Sequence, residues 1–239
     1  MRKTPAQLVY ILPNLFTAAS IFSGIFSIIN AINGEFDKAA WLIMLSLVFD
    51  GLDGRVARLT NTCSKFGVEF DSLADMVAFG VAPALLMYLF VGYGFGRFGI
   101  VVSALFVIFG AIRLARFNVM TVSSEPSVFI GVPIPTAAVF VSLLVLLFKK
   151  YGFNSDYGLV IMFLSILVSL LMVSNIRYPS FKKVDLSPKH AMKLFVVILS
   201  AFLGIFVYPI EGFALIFVLY ILYGLVRAVM LMPKSLSKK

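Results

Sequence analysis

The chain is short of the residues on which most soluble enzymes draw. It has one cysteine, Cys63, and one histidine, His190, among 239 residues. A single thiol excludes an internal disulfide and any cysteine-based metal site. Charged residues make up only 13% of the chain, and just 11 of them are acidic. Sequence repeats, low-complexity tracts and any polar segment long enough for a separate soluble domain are also missing. What fills the chain is apolar: 61% of the residues are hydrophobic and the mean hydropathy is +1.04, far above the range of soluble domains. Runs of roughly 20 apolar residues recur from end to end, each long enough to cross a bilayer as a helix.

The reading is an all-α, polytopic integral membrane bundle of about eight spans, near 14–32, 39–59, 68–91, 97–117, 132–150, 157–175, 191–209 and 213–231. Pro13 is expected to set off a short interfacial helix before the first span. The apolar stretch that follows the N-terminus lacks a small-residue cleavage pattern, so it is expected to remain attached. Residues 1–180 form the expected core, of about six spans. Residues 181–239 add a basic loop and two further spans to the same domain.

An even number of crossings puts both termini on one side. All lysines and arginines except Lys38, Arg97, Lys149 and Lys150 then share that side, which the positive-inside rule makes cytoplasmic. A net charge of +9 is accounted for by orientation and by attraction to anionic lipid headgroups, without nucleic acid.

Against this background the segment DGLDGRVARLTNTCSKFGVEFDSLAD, residues 50–75, stands out. Ionised carboxylates cost at least a few kcal/mol inside a membrane, so Asp50, Asp53, Asp71 and Asp75 require a compensating partner. At about 100° per residue, Asp50, Asp53, Gly54 and Ala57 share one face of the second helix. Gly67, Asp71, Ala74, Asp75 and Ala78 share one face of the third. Two such faces turned together form a cage of oxygen ligands with small residues that admit close approach. Oxygen-only ligands suit hard cations, Mg²⁺ or Mn²⁺ first and Ca²⁺ as a possible occupant, and four negative charges balance two divalent ions. Two metals are a common apparatus for exchanging oxygens on phosphorus. An ion-coupled transporter is the alternative from another class, but the acids are bunched at one end of two consecutive helices.

The pattern D-x-x-D-G-x-x-A-R, eight residues, then G-x-x-x-D-x-x-x-D is met without a gap at Asp50, Asp53, Gly54, Ala57, Arg58, Gly67, Asp71 and Asp75. It resembles the motif of the CDP-alcohol phosphatidyltransferases. The resemblance implies an enzyme that attacks the β-phosphorus of a CDP-linked lipid with an alcohol and releases CMP. It implies that the four aspartates hold two metals, that Asp75 takes the proton of the alcohol, and that the protein is a homodimer in its membrane.

Asn14 and Thr17, in PNLFT, match a family segment that lines the nucleotide site. Gly54 and Ala57 leave room for the cytidine diphosphate, and Arg58 can donate to phosphate. Ser64 and Lys65 are further candidates for phosphate contact. The segments RLARFN, with Arg113 and Arg116, and GVPIP, with Gly131, Pro133 and Pro135, resemble the membrane-integral phosphatidylserine synthase branch. That implies CDP-diacylglycerol as donor and L-serine as acceptor, with Arg113 preferred over Arg116 for the serine carboxylate. Glycerol 3-phosphate or inositol phosphate would ask for a similar basic pocket. GVPIP also reads as a loop-to-helix turn, and His190 as a solvated loop residue. The expected place is the cell (inner) membrane, with the active site facing the cytoplasm.

Overall fold

The computed structural model describes residues 5–121, 128–152, 157–179, 204 and 206–236. Its elements are α1 (Pro5–Ile32), α2 (Phe36–Leu59), α3 (Lys65–Asp75), α4 (Ala82–Phe90), α5 (Arg97–Thr121), β1 (Val128–Ile130), α6 (Ile134–Lys150), α7 (Gly158–Val173), β2 (Arg177–Pro179) and α8 (Pro209–Leu236). The expected span 191–209 falls almost wholly outside the described residues, as do His190 and the basic positions 182, 183, 189 and 193.

The chain is a membrane protein built of helices. Among the described residues, three stretches are both long and apolar enough to cross a bilayer: Ile11–Ile32, Lys65–Phe90 and Arg97–Val119. Gly158–Val173 and Pro209–Gly224 are apolar but shorter. Many large side chains face outward, including Phe22, Ile32, Phe163 and Leu170, as expected where lipid replaces water.

Two local features differ from expectation. Helix α1 runs unbroken through Pro13, so no separate interfacial helix precedes the first span. Proline removes one backbone donor and crowds the preceding turn, but a helix can bridge such a defect. Thr17 Oγ1 also donates to the Pro13 carbonyl at 3.3 Å. The second feature is a two-stranded antiparallel ribbon, in which Val128, Phe129 and Ile130 pair with Pro179, Tyr178 and Arg177. The ribbon joins the segment before α6 to the segment after α7. Gly131 follows it with φ +76°, and a Cβ there would lie 2.3 Å from the Met172 carbonyl oxygen. Only glycine tolerates both demands, which explains the first residue of GVPIP as a turn.

The tightest helix pair is α1 against α2. Ser23 Oγ donates to Leu42 O and Ser27 Oγ to Ala39 O, each at 2.8 Å. Ser46 Oγ donates to Ser20 O at 3.1 Å. In an apolar solvent, small residues and interhelical hydrogen bonds replace the hydrophobic effect as the cause of association. On another side of α1, a Cβ on Gly24 would lie 2.8 Å from Ala78 Cα, so α1 also presses against the third span.

Between α3 and α4, Met76–Val81 is a π-helical turn, with Ala82 N bonded to Val77 O. Pro83 supplies the cause, because it has no N–H for the regular ladder and its ring crowds the turn before it. The wide turn begins at the residue after Asp75.

Candidate active site

Helices α2 and α3 are joined by the short turn 60–64, which brings their aspartate faces together. Ser64 caps α3, its Oγ accepting from Gly67 N at 3.0 Å. That cap fixes where α3 begins and therefore which residues face α2. Carboxylate oxygens of Asp50, Asp53 and Asp71 lie within 4.8 Å of one another. Asp53 is buried and Asp50 and Asp71 half-buried. Asp75 stands one turn beyond Asp71, is 9% exposed, and comes within hydrogen-bonding range of Asp50, which also meets Asp71.

Carboxylates packed this closely repel unless a proton or cation lies among them. The donor set consists of oxygen alone, with no sulfur or imidazole in the group, and so fits a hard divalent cation. Thr17 orients one member of the set: its Oγ1 lies 2.7 Å from Asp53 Oδ2. Thr17 is itself 3% exposed, so this hydrogen bond is sheltered from water.

A cleft opens beside the carboxylates. Its walls include Pro13, Asn14 and Thr17 from α1, Asp53, Gly54, Ala57 and Arg58 from α2, and Ser64, Gly67 and Asp71 from the turn and α3. Thr62, Cys63 and Val68 complete it. The cleft thus gathers most of the residues singled out by spacing. A Cβ on Gly54 would lie 3.4 Å from Arg58 Nη1, so the guanidinium folds back over that glycine. A Cβ on Gly67 would lie 3.8 Å from Asn14 Oδ1, which sets α1 close to the start of α3. Lys65 is exposed and is not part of the lining.

The two arginines of RLARFN part company. Arg113 is only 8% exposed and acts electrostatically on both Asp75 and Asp50. Its Cζ lies 5.3 Å from the centre of the Phe117 ring. Arg116 instead ties α5 to the end of α7, donating to Val173 O at 3.2 Å and to Asn175 Oδ1 at 2.6 Å. Asn118 of the same segment donates to Ser72 Oγ at 2.9 Å, holding α5 against α3 between Asp71 and Asp75. Spacing alone did not reveal the Asn118–Ser72 contact, because the partners are 46 residues apart.

Residues 10–171 match the family model of the CDP-alcohol phosphatidyltransferases. The chain is 56% identical, over 237 residues and 98% of both chains, to the CDP-diacylglycerol--serine O-phosphatidyltransferase of Helicobacter pylori. It is 39% identical over 187 residues to the enzyme of that name in Methanocaldococcus jannaschii, covering 78% of this chain and 82% of the other. An archaetidylserine synthase of Methanothermobacter thermautotrophicus is 42% identical over 170 residues, 70% of this chain and 69% of its own.

Proposed function

This chain belongs to the CDP-alcohol phosphatidyltransferase family, and on that footing we propose that it transfers the phosphatidyl group of CDP-diacylglycerol to the hydroxyl of L-serine, releasing CMP. The observation that carries the proposal is the carboxylate cluster of Asp50, Asp53 and Asp71, with Asp75 close to Asp50, of which Asp53 and Asp71 line a cleft of small and polar residues. The names borne by the relatives from Helicobacter and Methanocaldococcus support serine as the acceptor.

Asp50, Asp53, Asp71 and Asp75 would hold two divalent cations, Mg²⁺ or Mn²⁺ by the hardness of their donors. When bound, those ions neutralise the pyrophosphate and ease departure of CMP. The remaining roles belong to side chains. Thr17 holds Asp53 in place through its hydrogen bond. Asn14, Gly54, Ala57, Arg58, Ser64 and Gly67 shape the cleft for the cytidine diphosphate, with Arg58 donating to phosphate.

In the transfer, the serine hydroxyl oxygen forms a bond to the β-phosphorus while the bond from that phosphorus to the CMP oxygen breaks. The hydroxyl proton passes to the Asp75 carboxylate. Arg113, beside Asp75, receives the serine carboxylate and so directs the hydroxyl toward the base. Arg116 is spent on α7 and is a weaker candidate. Lys65, exposed at the start of α3, is kept only as a contact for lipid phosphate.

The site faces the cytoplasm, where serine enters from water and the lipid enters sideways from the cell membrane. The working unit is a homodimer. The direct test supplies purified protein with CDP-diacylglycerol and, separately, L-serine, glycerol 3-phosphate or inositol phosphate. Chelator-sensitive release of CMP with serine alone is the expected result. Incorporation of one of the phosphorylated alcohols instead would overturn the choice of acceptor.

A further inference from the structure

We propose that Ser72, on α3, is a positioning residue: its hydrogen bond with Asn118 of α5 holds the Asp71 and Asp75 face of α3 toward α2 and so raises the affinity of the carboxylate cluster for divalent cations. The inference rests on the reading that those aspartates hold metal. In the motif Ser72 is one of the three unspecified positions between Asp71 and Asp75. The structure gives it a partner on another helix.

Ser72 follows Asp71 directly and precedes Asp75 by three residues, so it lies about 100° and 60° around the helix from them, on the flank of the carboxylate stripe. Its Oγ accepts from Asn118 Nδ2 at 2.9 Å and donates to Val68 O, within α3, at 3.1 Å, with Asn118 Oδ1 at 3.3 Å as the other acceptor in reach. A hydroxyl has one proton and two lone pairs, so it donates to one and accepts from Asn118 at once. Asn118 stands near the end of α5, two residues after Arg116, which ties that end to α7 through Val173 O and Asn175 Oδ1. The anchor that Ser72 reaches is therefore itself braced.

Such an anchor answers a specific need. Carboxylate oxygens of Asp50, Asp53 and Asp71 lie within 4.8 Å of one another, and their repulsion favours rolling the α3 stripe away from α2. The Ser64 cap fixes the start of α3 and Ala74 is buried on its inner face, but the outer side leaves Phe66 66% and Leu73 64% exposed. Just past Asp75 the backbone widens into the π-helical turn Met76–Val81, which interrupts the regular ladder toward α4. A bond from α5 to the flank of the stripe opposes the roll and keeps the oxygens gathered before a cation arrives. Ligands already gathered bind more tightly than ligands that must first be ordered.

The test is titration of the purified full chain with Mn²⁺, the free ion being followed by electron paramagnetic resonance, in the wild type, Ser72→Ala, Asn118→Ala and the double variant. Alanine suits a helix interior, so Ser72→Ala keeps α3 helical. Loss of one neutral hydrogen bond corresponds to about a fivefold effect. The Mn²⁺ dissociation constant of Ser72→Ala should rise by about that factor, while Ser72→Thr, which keeps the hydroxyl, should bind within about twofold of the wild type. Asn118 has a further interaction of its own, so its single variant reports more than this bond. In the Asn118→Ala background, however, Ser72→Ala should add little, because the cycle isolates the pair. An unchanged dissociation constant in Ser72→Ala, with or without a lower thermal midpoint, overturns the proposal, and so does full additivity in the double variant. A wild-type chain that binds no Mn²⁺ removes the metal reading, and this proposal with it. Binding that is lost in Asp71→Asn but indifferent to Ser72→Ala overturns this proposal alone.

Discussion

Asp53 depends on a neighbour that holds no charge of its own. Thr17 is buried and donates to Asp53 at 2.7 Å, so Thr17→Val leaves the shape nearly intact while freeing that carboxylate to turn. Outer hydrogen bonds to metal ligands are worth about 10- to 100-fold in metal affinity. The concentration of Mg²⁺ giving half-maximal CMP release should therefore rise within that range, measured on protein that remains folded in detergent. The two arginines offer a paired experiment. Arg113→Lys should raise the serine KM with little change in thermal midpoint, whereas Arg116→Lys should lower the midpoint by loosening α5 from α7. Helical periodicity made legible that each pair of aspartates shares one face of its helix, and the structure turns those faces together so that Asp50, Asp53 and Asp71 lie within 4.8 Å. The contact of Asn118 with Ser72 was not legible, since nothing local to either segment signals a partner 46 positions away.

Whole helices carry constraints that single side chains do not. The contact of α1 with the third span requires Gly24, because a Cβ there would sit 2.8 Å from Ala78 Cα, a backbone atom that cannot swing aside. Gly24→Leu should force α1 away from α3, lower the thermal midpoint and take Thr17 out of reach of Asp53, with loss of most activity. Gly131→Ala tests the ribbon in the same manner: positive φ and a 2.3 Å approach to Met172 O both oppose the methyl group. The expected cost exceeds about 1 kcal/mol, seen as a lower unfolding midpoint. At this scale the sequence was a partial guide. The helix boundaries of α2, α5 and α6 fell within a few residues of the apolar runs. Proline was the ambiguous signal: Pro13 was read as a break and is absorbed within α1, whereas Pro83 passed unremarked and accompanies a π-helical turn. A proline states which hydrogen bond is lost, and the packing around it decides how the helix responds. The ribbon escaped notice because three-residue strands are too short for alternation to register.

For the molecule as a whole, composition settled the solvent and left the count of crossings to lengths. Among the described residues three helices meet both length and hydropathy for a span, and α7 and the apolar part of α8 are shorter, so the described helices do not establish the expected eight crossings. Orientation can be read with the native thiol. Cys63 is exposed beside the cleft, so a membrane-impermeant maleimide should label it in inside-out vesicles and not in intact cells. Labelling in intact cells would reverse the topology. The measurement that bears most directly on the carboxylate cluster is a count of bound Mn²⁺ by electron paramagnetic resonance on purified protein with CDP-diacylglycerol. Two ions per chain are expected in the wild type, with loss of binding in Asp50→Asn and in Asp71→Asn. A count that is zero in the wild type, or that is indifferent to both substitutions, would contradict a paired-metal site among these aspartates.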